Sequence, residues 1–141
     1  MESTDAFIGR LPKVELQLHL VGSASVPTVL ELRRRHPDAA GVPSSAAELA
    51  AFYDFRDFPH FSQVYGAVSS LVREPADVAE LVLGAARDLA GQNVRYVELT
   101  VTPYTLTSAG LPVAGLTEAL DIAARSALRE HGCWPRACSR R

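Results

Sequence analysis

The side chains best suited to chemistry are concentrated in residues 13–20. Polar and apolar residues alternate there: the polar set is Lys13, Glu15, Gln17 and His19, and the apolar set is Val14, Leu16, Leu18 and Leu20. A period of two residues predicts a β-strand with one polar and one apolar face. Because Gln17 and His19 are two residues apart, we expect them to point the same way, so that they could share one ligand or metal ion. The alternative on this pattern alone is that His19 is an ordinary core or surface residue.

The elements around this strand follow in the order strand, helices, strand, helix. Helical periodicity predicts helices over about 26–36, 46–53, 58–72, 75–90 and 116–131, and a second alternating run predicts a strand over 94–102. This order is typical of the beginning of a βα repeat with a parallel sheet. Polar residues near the carboxyl end of a first strand are what a (β/α)₈ barrel uses in its active site.

No third strand is predicted after Gly132. Residues 133–141 show no alternation, contain Pro135, and carry three arginines and no acid. Proline removes a donor from the hydrogen-bond ladder of a sheet. We therefore expect these nine residues to form a disordered tail.

The composition limits the class of protein. The chain has 141 residues, 48% of them hydrophobic, and a formal net charge of −2, as expected for one globular domain without a nucleic-acid partner. No apolar run reaches the ~18–20 residues that a membrane-spanning helix needs. The start of the chain, Met1 to Asp5, lacks the order of charges of a signal peptide. We predict a cytoplasmic protein with no membrane partner.

Three segments resemble the adenosine deaminase family. Residues 11–23, LPKVELQLHLVGS, resemble the first-strand signature of that family, L-P-K-x-E-L-H-x-H-L-(D/E)-G-S. Residues 61–77 resemble its aromatic helix and the R-T-P-E-D-like segment that follows. Residues 92–103, QNVRYVELTVTP, resemble its second strand. The resemblance covers about residues 7–131. Within the family, the sequence of these motifs is most similar to that of the aminodeoxyfutalosine deaminase branch, which serves menaquinone synthesis.

The resemblance implies an α/β fold, the N-terminal portion of a (β/α)₈ TIM barrel of the metal-dependent hydrolase type, with about two of eight βα units in residues 1–132. It implies Zn²⁺ as cofactor, a purine nucleoside as small-molecule partner, and hydrolytic deamination of a 6-aminopurine as the reaction. The implied metal ligands are His19 and the residue at position 17. The implied substrate-binding residues are Val21, Gly22, Ser23, Phe61, Tyr65, Thr100 and Thr102.

This sequence departs from the family pattern in three ways. Gln17 replaces a zinc histidine, and an amide oxygen is a poor zinc ligand beside an imidazole nitrogen. Val21 replaces the acid that binds a ribose 5′-hydroxyl, which favours aminodeoxyfutalosine, with its organic 5′ extension, over adenosine. The chain is also shorter than the roughly 200 residues that such a barrel needs. We therefore expect no catalytic residue in this chain and no activity of the truncated chain alone. We also expect residues 133–141 to lie outside the family sequence. The alternative to an enzyme is a non-catalytic remnant or interaction module derived from the same fold.

Overall fold

Three parallel strands form the centre of the molecule. The computed structural model describes residues 3–108 and 110–139. The strands are β1 (Lys13–His19), β2 (Val94–Val101) and β3 (Trp134–Ser139), and they lie side by side in the order β1-β2-β3. Both pairings are parallel. Parallel neighbours need long crossover connections, and the helices supply them.

Seven helices are described in these residues. They are α1 (Thr4–Arg10), α2 (Val26–Arg35), α3 (Ala46–Phe52), α4 (Phe58–Ser69), α5 (Pro75–Ala90), α6 (Pro103–Ser108) and α7 (Val113–His131). The predicted helices correspond to α2, α3, α4, α5 and α7. The α1 and α6 helices were not predicted. No helix of the described residues combines the length and apolar character needed to cross a membrane.

The helix boundaries follow from capping residues. The side chain of Asp57 accepts a hydrogen bond from the backbone N–H of His60, 2.8 Å away, which begins α4 as predicted. The α2 helix ends before His36 and Pro37, because a residue that precedes proline avoids the α region. Gly132, with φ of 64°, ends α7 in the left-handed conformation that glycine adopts at low cost.

The prediction of a disordered tail is wrong for residues 134–139, which form β3. Each β3 residue from Trp134 to Ser139 is in register with a β2 residue from Tyr96 to Val101. Proline is tolerated in β3 because this strand is an edge of the described sheet. Trp134, Arg136 and Cys138 lie on the face of the sheet that the described helices do not cover, and all three are exposed. Because this face accepts apolar and charged residues alike, β3 shows no regular alternation.

The core lies between the sheet and the helices. The α5 and α7 helices pack against each other, and both contact the sheet. The buried core residues of β2 are Val94, Val97, Leu99 and Val101. Leu81, Val82 and Ala86 of α5 and Ala123 and Ala127 of α7 belong to the same cluster.

A buried carboxylate joins the end of α2 to the start of α5. Asp77 is 0% exposed, and its Oδ2 accepts the backbone N–H groups of Arg73 at 3.0 Å and Glu74 at 3.1 Å. The same oxygen lies 2.8 Å from Nε2 of His36. Its Oδ1 lies 3.8 Å from Nη1 of Arg35 and has no hydrogen bond among the described residues. The carboxylate is stabilised at this position because the N-terminus of a helix carries positive partial charge.

Replacing Asp77 by alanine should strongly destabilise the fold. The change leaves two backbone N–H groups and the His36 ring without their acceptor, at a cost of about 2–4 kcal/mol. Urea denaturation followed by circular dichroism would measure the free energy of unfolding. The matched control is Asp38→Ala, which removes an exposed ion pair with Arg73, and exposed pairs contribute little. Equal losses in the two variants would contradict the structural role of Asp77.

The contact between α2 and α5 is close enough to require a glycine. A Cβ atom on Gly84 would lie 2.2 Å from Oγ1 of the buried Thr28. We expect Gly84→Ala to cost about 1–3 kcal/mol, as other overpacked substitutions do. Gly66→Ala in α4 is the control, because a Cβ there meets no atom within 4 Å, and it should stabilise by up to about 1 kcal/mol. A Gly84→Ala variant as stable as the wild type would show that α2 lies further from α5 than the structure places it.

Candidate functional site

The first strand does not keep a regular alternation of its side chains. Glu15 pairs with Val97 and Leu18 pairs with Leu99, so β1 has one more residue than β2 between these pairs. Gln17 is the irregular residue, with φ of 60°. This is a β-bulge, in which one extra residue re-aims the side chains that follow it.

The bulge reverses the predicted faces of β1. Paired residues of neighbouring strands lie on one face of a sheet, so Leu18 lies on the helix-covered face with Leu99, and His19 lies on the open face with Thr100. Val14 and Leu16 share the open face and are 63% and 57% exposed. The prediction that Glu15 and His19 lie on one face, opposite all four apolar residues, is therefore wrong. The alternation that predicted a common direction for Gln17 and His19 is interrupted at Gln17 itself.

Polar residues of β2 and β3 continue the open face. Tyr96 and Glu98 lie there, and the hydroxyl of Tyr96 donates to Oε1 of Glu98 at 3.3 Å. Glu98 and Thr100 are in register with Arg136 and Cys138 of β3. The row at the carboxyl end of the three strands is thus His19, Thr100 and Cys138.

The loop after β1 folds back over His19. The N–H of Leu20 donates to the carbonyl of Thr100 at 3.1 Å, and the N–H of Ser23 donates to the carbonyl of His19 at 2.9 Å. Gly22 lies between His19 and Tyr65: a Cβ on this glycine would be 3.5 Å from Cβ of His19 and 3.8 Å from Cε2 of Tyr65. The loop therefore places the family-like residues 21–23 directly beside the histidine.

A small apolar pocket opens next to this loop. Its walls are uncharged side chains from the loop, α4 and the segment before α4: Val21, Gly22, Tyr53, Phe55, Phe61, Val64, Tyr65 and Val68. Four of the seven substrate-binding residues predicted from the resemblance, Val21, Gly22, Phe61 and Tyr65, thus lie in one place.

The other three predicted residues lie outside the lining. The hydroxyl of Ser23 lies 3.4 Å from the carbonyl of Leu20. Thr100 is buried in β2, and Thr102 is exposed directly before α6. These three residues are near the strand ends, but their side chains do not form the walls of the pocket.

Tyr53 is one of four pocket residues, with Phe55, Val64 and Val68, that were not predicted from the sequence. Its hydroxyl donates to the carbonyl of Ala24 at 3.0 Å and so connects the end of α3 to the loop after β1. Its ring meets Phe55 edge to face at 5.9 Å, and Phe55 meets Phe61 at 5.3 Å in the same geometry. Burial raises the pKa of Tyr53 to about 12. The clustering of aromatic residues in 52–65 was the available signal.

The described residues do not by themselves form a zinc site beside His19. Zinc in proteins usually takes three or four nitrogen, sulfur or carboxylate ligands. The one group of three such side chains with donor atoms within 4.8 Å of one another, in the part of the chain described, is His36, Glu74 and Asp77. That group does not contain His19, and its Asp77 already accepts the backbone N–H groups at the start of α5. The donors that the resemblance implies are one imidazole and the amide of Gln17, which are too few to hold a zinc ion.

Similar solved structures define the fold. The chain superposes on adenine deaminase from Arthrobacter aurescens with a TM-score of 0.76 at 21% identity, covering 91% of this chain and 39% of that one. It superposes on an amidohydrolase from Burkholderia ambifaria with bound Zn with a TM-score of 0.75 at 27% identity, covering 99% of this chain and 38% of that one. The fold is therefore an incomplete TIM barrel of the amidohydrolase type, as predicted.

The family model for adenosine deaminase matches residues 12–140. The chain belongs to the adenosine deaminase family, and the match runs through β3. An aminodeoxyfutalosine deaminase of Streptomyces avermitilis is 46% identical over 133 residues, which are 94% of this chain and 37% of that protein. A second one, from Streptomyces coelicolor, is 44% identical over 94% of this chain and 34% of its own length. The chain thus spans about a third of the length of these curated relatives.

The hydroxyl of Tyr53 should contribute to stability in a pH-dependent way. We expect Tyr53→Phe to cost about 1 kcal/mol, the net value of one hydrogen bond. Because the pKa of the folded state is raised, this contribution is fully present below pH 10 and is lost as the pH rises from 10 towards 12. Urea denaturation at a series of pH values would measure the difference. Tyr104→Phe, at a residue that is 80% exposed, is the control. A difference between wild type and Tyr53→Phe that does not shrink above pH 10 would contradict the account.

Proposed function

We propose that this chain belongs to a hydrolytic deaminase that acts on a 6-aminopurine nucleoside with an organic extension at its 5′ position. Aminodeoxyfutalosine is the favoured substrate, and adenosine is the second candidate. The observation that carries the proposal is Val21 in the wall of an apolar pocket, next in the chain to Gly22, which lies beside His19. The two Streptomyces relatives support the same substrate.

The pocket favours an uncharged, apolar group. Val21 is 8% exposed, so its methyl groups pack into the wall and offer no acceptor for a ribose hydroxyl. Burying an unpartnered hydroxyl against such a wall is unfavourable. The aromatic rings of Phe55, Phe61 and Tyr65 present the large contact area that suits an apolar or aromatic extension. A phosphate is not favoured, because the lining residues include no arginine or lysine to bind it.

Zinc is the proposed cofactor, with His19 as one ligand. A zinc ion held there would lower the pKa of a water molecule and so activate it for hydrolysis. His19 is exposed on the open face at the strand ends, so its ring is accessible to a metal ion. Since the described residues offer no complete donor set around it, we expect these 141 residues alone to release no ammonia from either nucleoside.

A chimera tests the substrate proposal. Residues 20–131 of this chain would replace the matching segment of the Streptomyces avermitilis enzyme, so that the first strand comes from that enzyme and Gln17 is not transferred. Ammonia release would be measured with both nucleosides. We expect the chimera to prefer aminodeoxyfutalosine, and Val21→Asp to shift the ratio of the two kcat/KM values towards adenosine, since a carboxylate accepts a hydrogen bond from the 5′-hydroxyl. Val21→Leu, whose branched side chain resembles that of aspartate in shape but has no hydrogen-bond acceptor, should change the ratio little.

Two results would contradict this proposal. A chimera that prefers adenosine, or a Val21→Asp variant with the same ratio as Val21→Leu, would show that Val21 does not determine the substrate. A folded chimera without activity towards either nucleoside, while the parent enzyme is active, would favour the non-catalytic module.

A further inference from the structure

Gln17 has an unusual backbone for its residue type. Among the non-glycine residues described, Gln17 and Asn93 have positive φ, at 60° and 62°. Residues other than glycine adopt this left-handed region at a cost, and asparagine, aspartate and histidine do so more readily than most. Such a conformation in the middle of a seven-residue strand must be held by its surroundings, which makes it a candidate for a functional constraint.

The register shows what the left-handed residue does. Regular alternation from Glu15 would place His19 on the same face as Glu15 and Val97, towards the buried core of β2. The bulge moves His19 to the other face, where it is paired with Thr100 and exposed. It also places Leu18 against the core, of which it is a partly buried neighbour. One irregular residue thus sets the direction of the two side chains that follow it.

We infer that Gln17 is a positioning residue, which acts through its backbone to place His19 on the open face of the sheet. The biological meaning of this positioning rests on the proposed function, in which His19 is a metal ligand. The geometry of the bulge is observed independently of that function. The inference differs from the expectation of a side-chain ligand at position 17. It predicts that the residue type at this position matters through its tolerance of positive φ and not through its amide group.

Different substitutions separate the two roles. Gln17→Gly and Gln17→Asn keep a residue that tolerates positive φ, although the first has no donor or acceptor in its side chain. Gln17→Val has a β-branched side chain, which strongly disfavours the left-handed region. Deletion of Gln17 removes the extra residue, so that Leu18 and His19 keep their faces through regular pairing.

The readout is the rate at which diethyl pyrocarbonate modifies His19 in the purified chain, followed by mass spectrometry. His19 is exposed, whereas the other three histidines are partly buried. His36 is also held by Asp77, and His60 accepts the N–H of Arg56. His131 serves as the internal reference for each variant. This measurement needs no metal, substrate or activity, so its outcome is independent of the proposed function.

We expect the Gly, Asn and deletion variants to keep the wild-type rate at His19. Gln17→Val should slow modification of His19 several-fold relative to His131. Asn93→Val is the matched control, because it disfavours a second left-handed residue, at the start of β2, and should lower Tm without changing His19. A folded Gln17→Val variant with the wild-type rate would overturn the inference. If that variant does not fold, the deletion decides: a folded deletion variant in which His19 has become protected would also overturn it.

Discussion

The one extra residue of β1 between Glu15 and Leu18 is the constraint on which the arrangement of the site depends. It requires a bulge, and the bulge at Gln17 decides which side chains face the helices and which face the open side. Leu18 therefore packs against the core, and His19 joins Thr100 at the carboxyl ends of the strands. The loop after β1 begins from this geometry, so the position of Gly22 beside His19 and of Val21 in the pocket follows from the same bulge.

Contacts at the two ends of the sheet hold this strand in place. At its amino end, Nζ of Lys13 donates to the carbonyls of Gly9, Leu11 and Gln92, which joins α1, β1 and the segment before β2. At its carboxyl end, the hydroxyl of Tyr53 holds the loop through Ala24. The helix layer is fixed separately, by Asp77 between α2 and α5. Lys13 was predicted to belong to the polar face with the side chains best suited to chemistry. In the structure its ammonium group is instead bound to three backbone carbonyls.

Local signals in the sequence predicted most of the elements. Five helices and two strands were expected close to their observed positions, because their apolar periodicity agrees with the face that each one buries. Capping and stop residues such as Asp57, Pro37 and Gly132 act over a few residues, and the helix ends next to them lie where they were predicted or within one residue. The resemblance added the family and the residues of the pocket that lie within its motifs.

The errors have a common physical origin in context that the local pattern does not contain. A strand face predicted from alternation assumes regular pairing, and the bulge depends on the register with β2, which is not visible in β1 alone. The β3 strand was missed because its open face accepts Trp134 and Arg136, and because proline is tolerated at an edge. Tyr53 was missed because its role depends on a contact with Ala24, 29 residues earlier in the chain.

Measuring the backbone conformation of Gln17 and the contacts of the His19 ring in solution would test most directly whether the bulge directs His19 to the open face. Nuclear magnetic resonance of the isotope-labelled chain can report both in one sample. The account predicts a strong intraresidue contact between the amide and α protons of Gln17, as a left-handed residue shows, together with contacts from the His19 ring to the Thr100 side chain. An extended Gln17, with contacts from the His19 ring to Val97 or Leu99 on the helix-covered face, would contradict it.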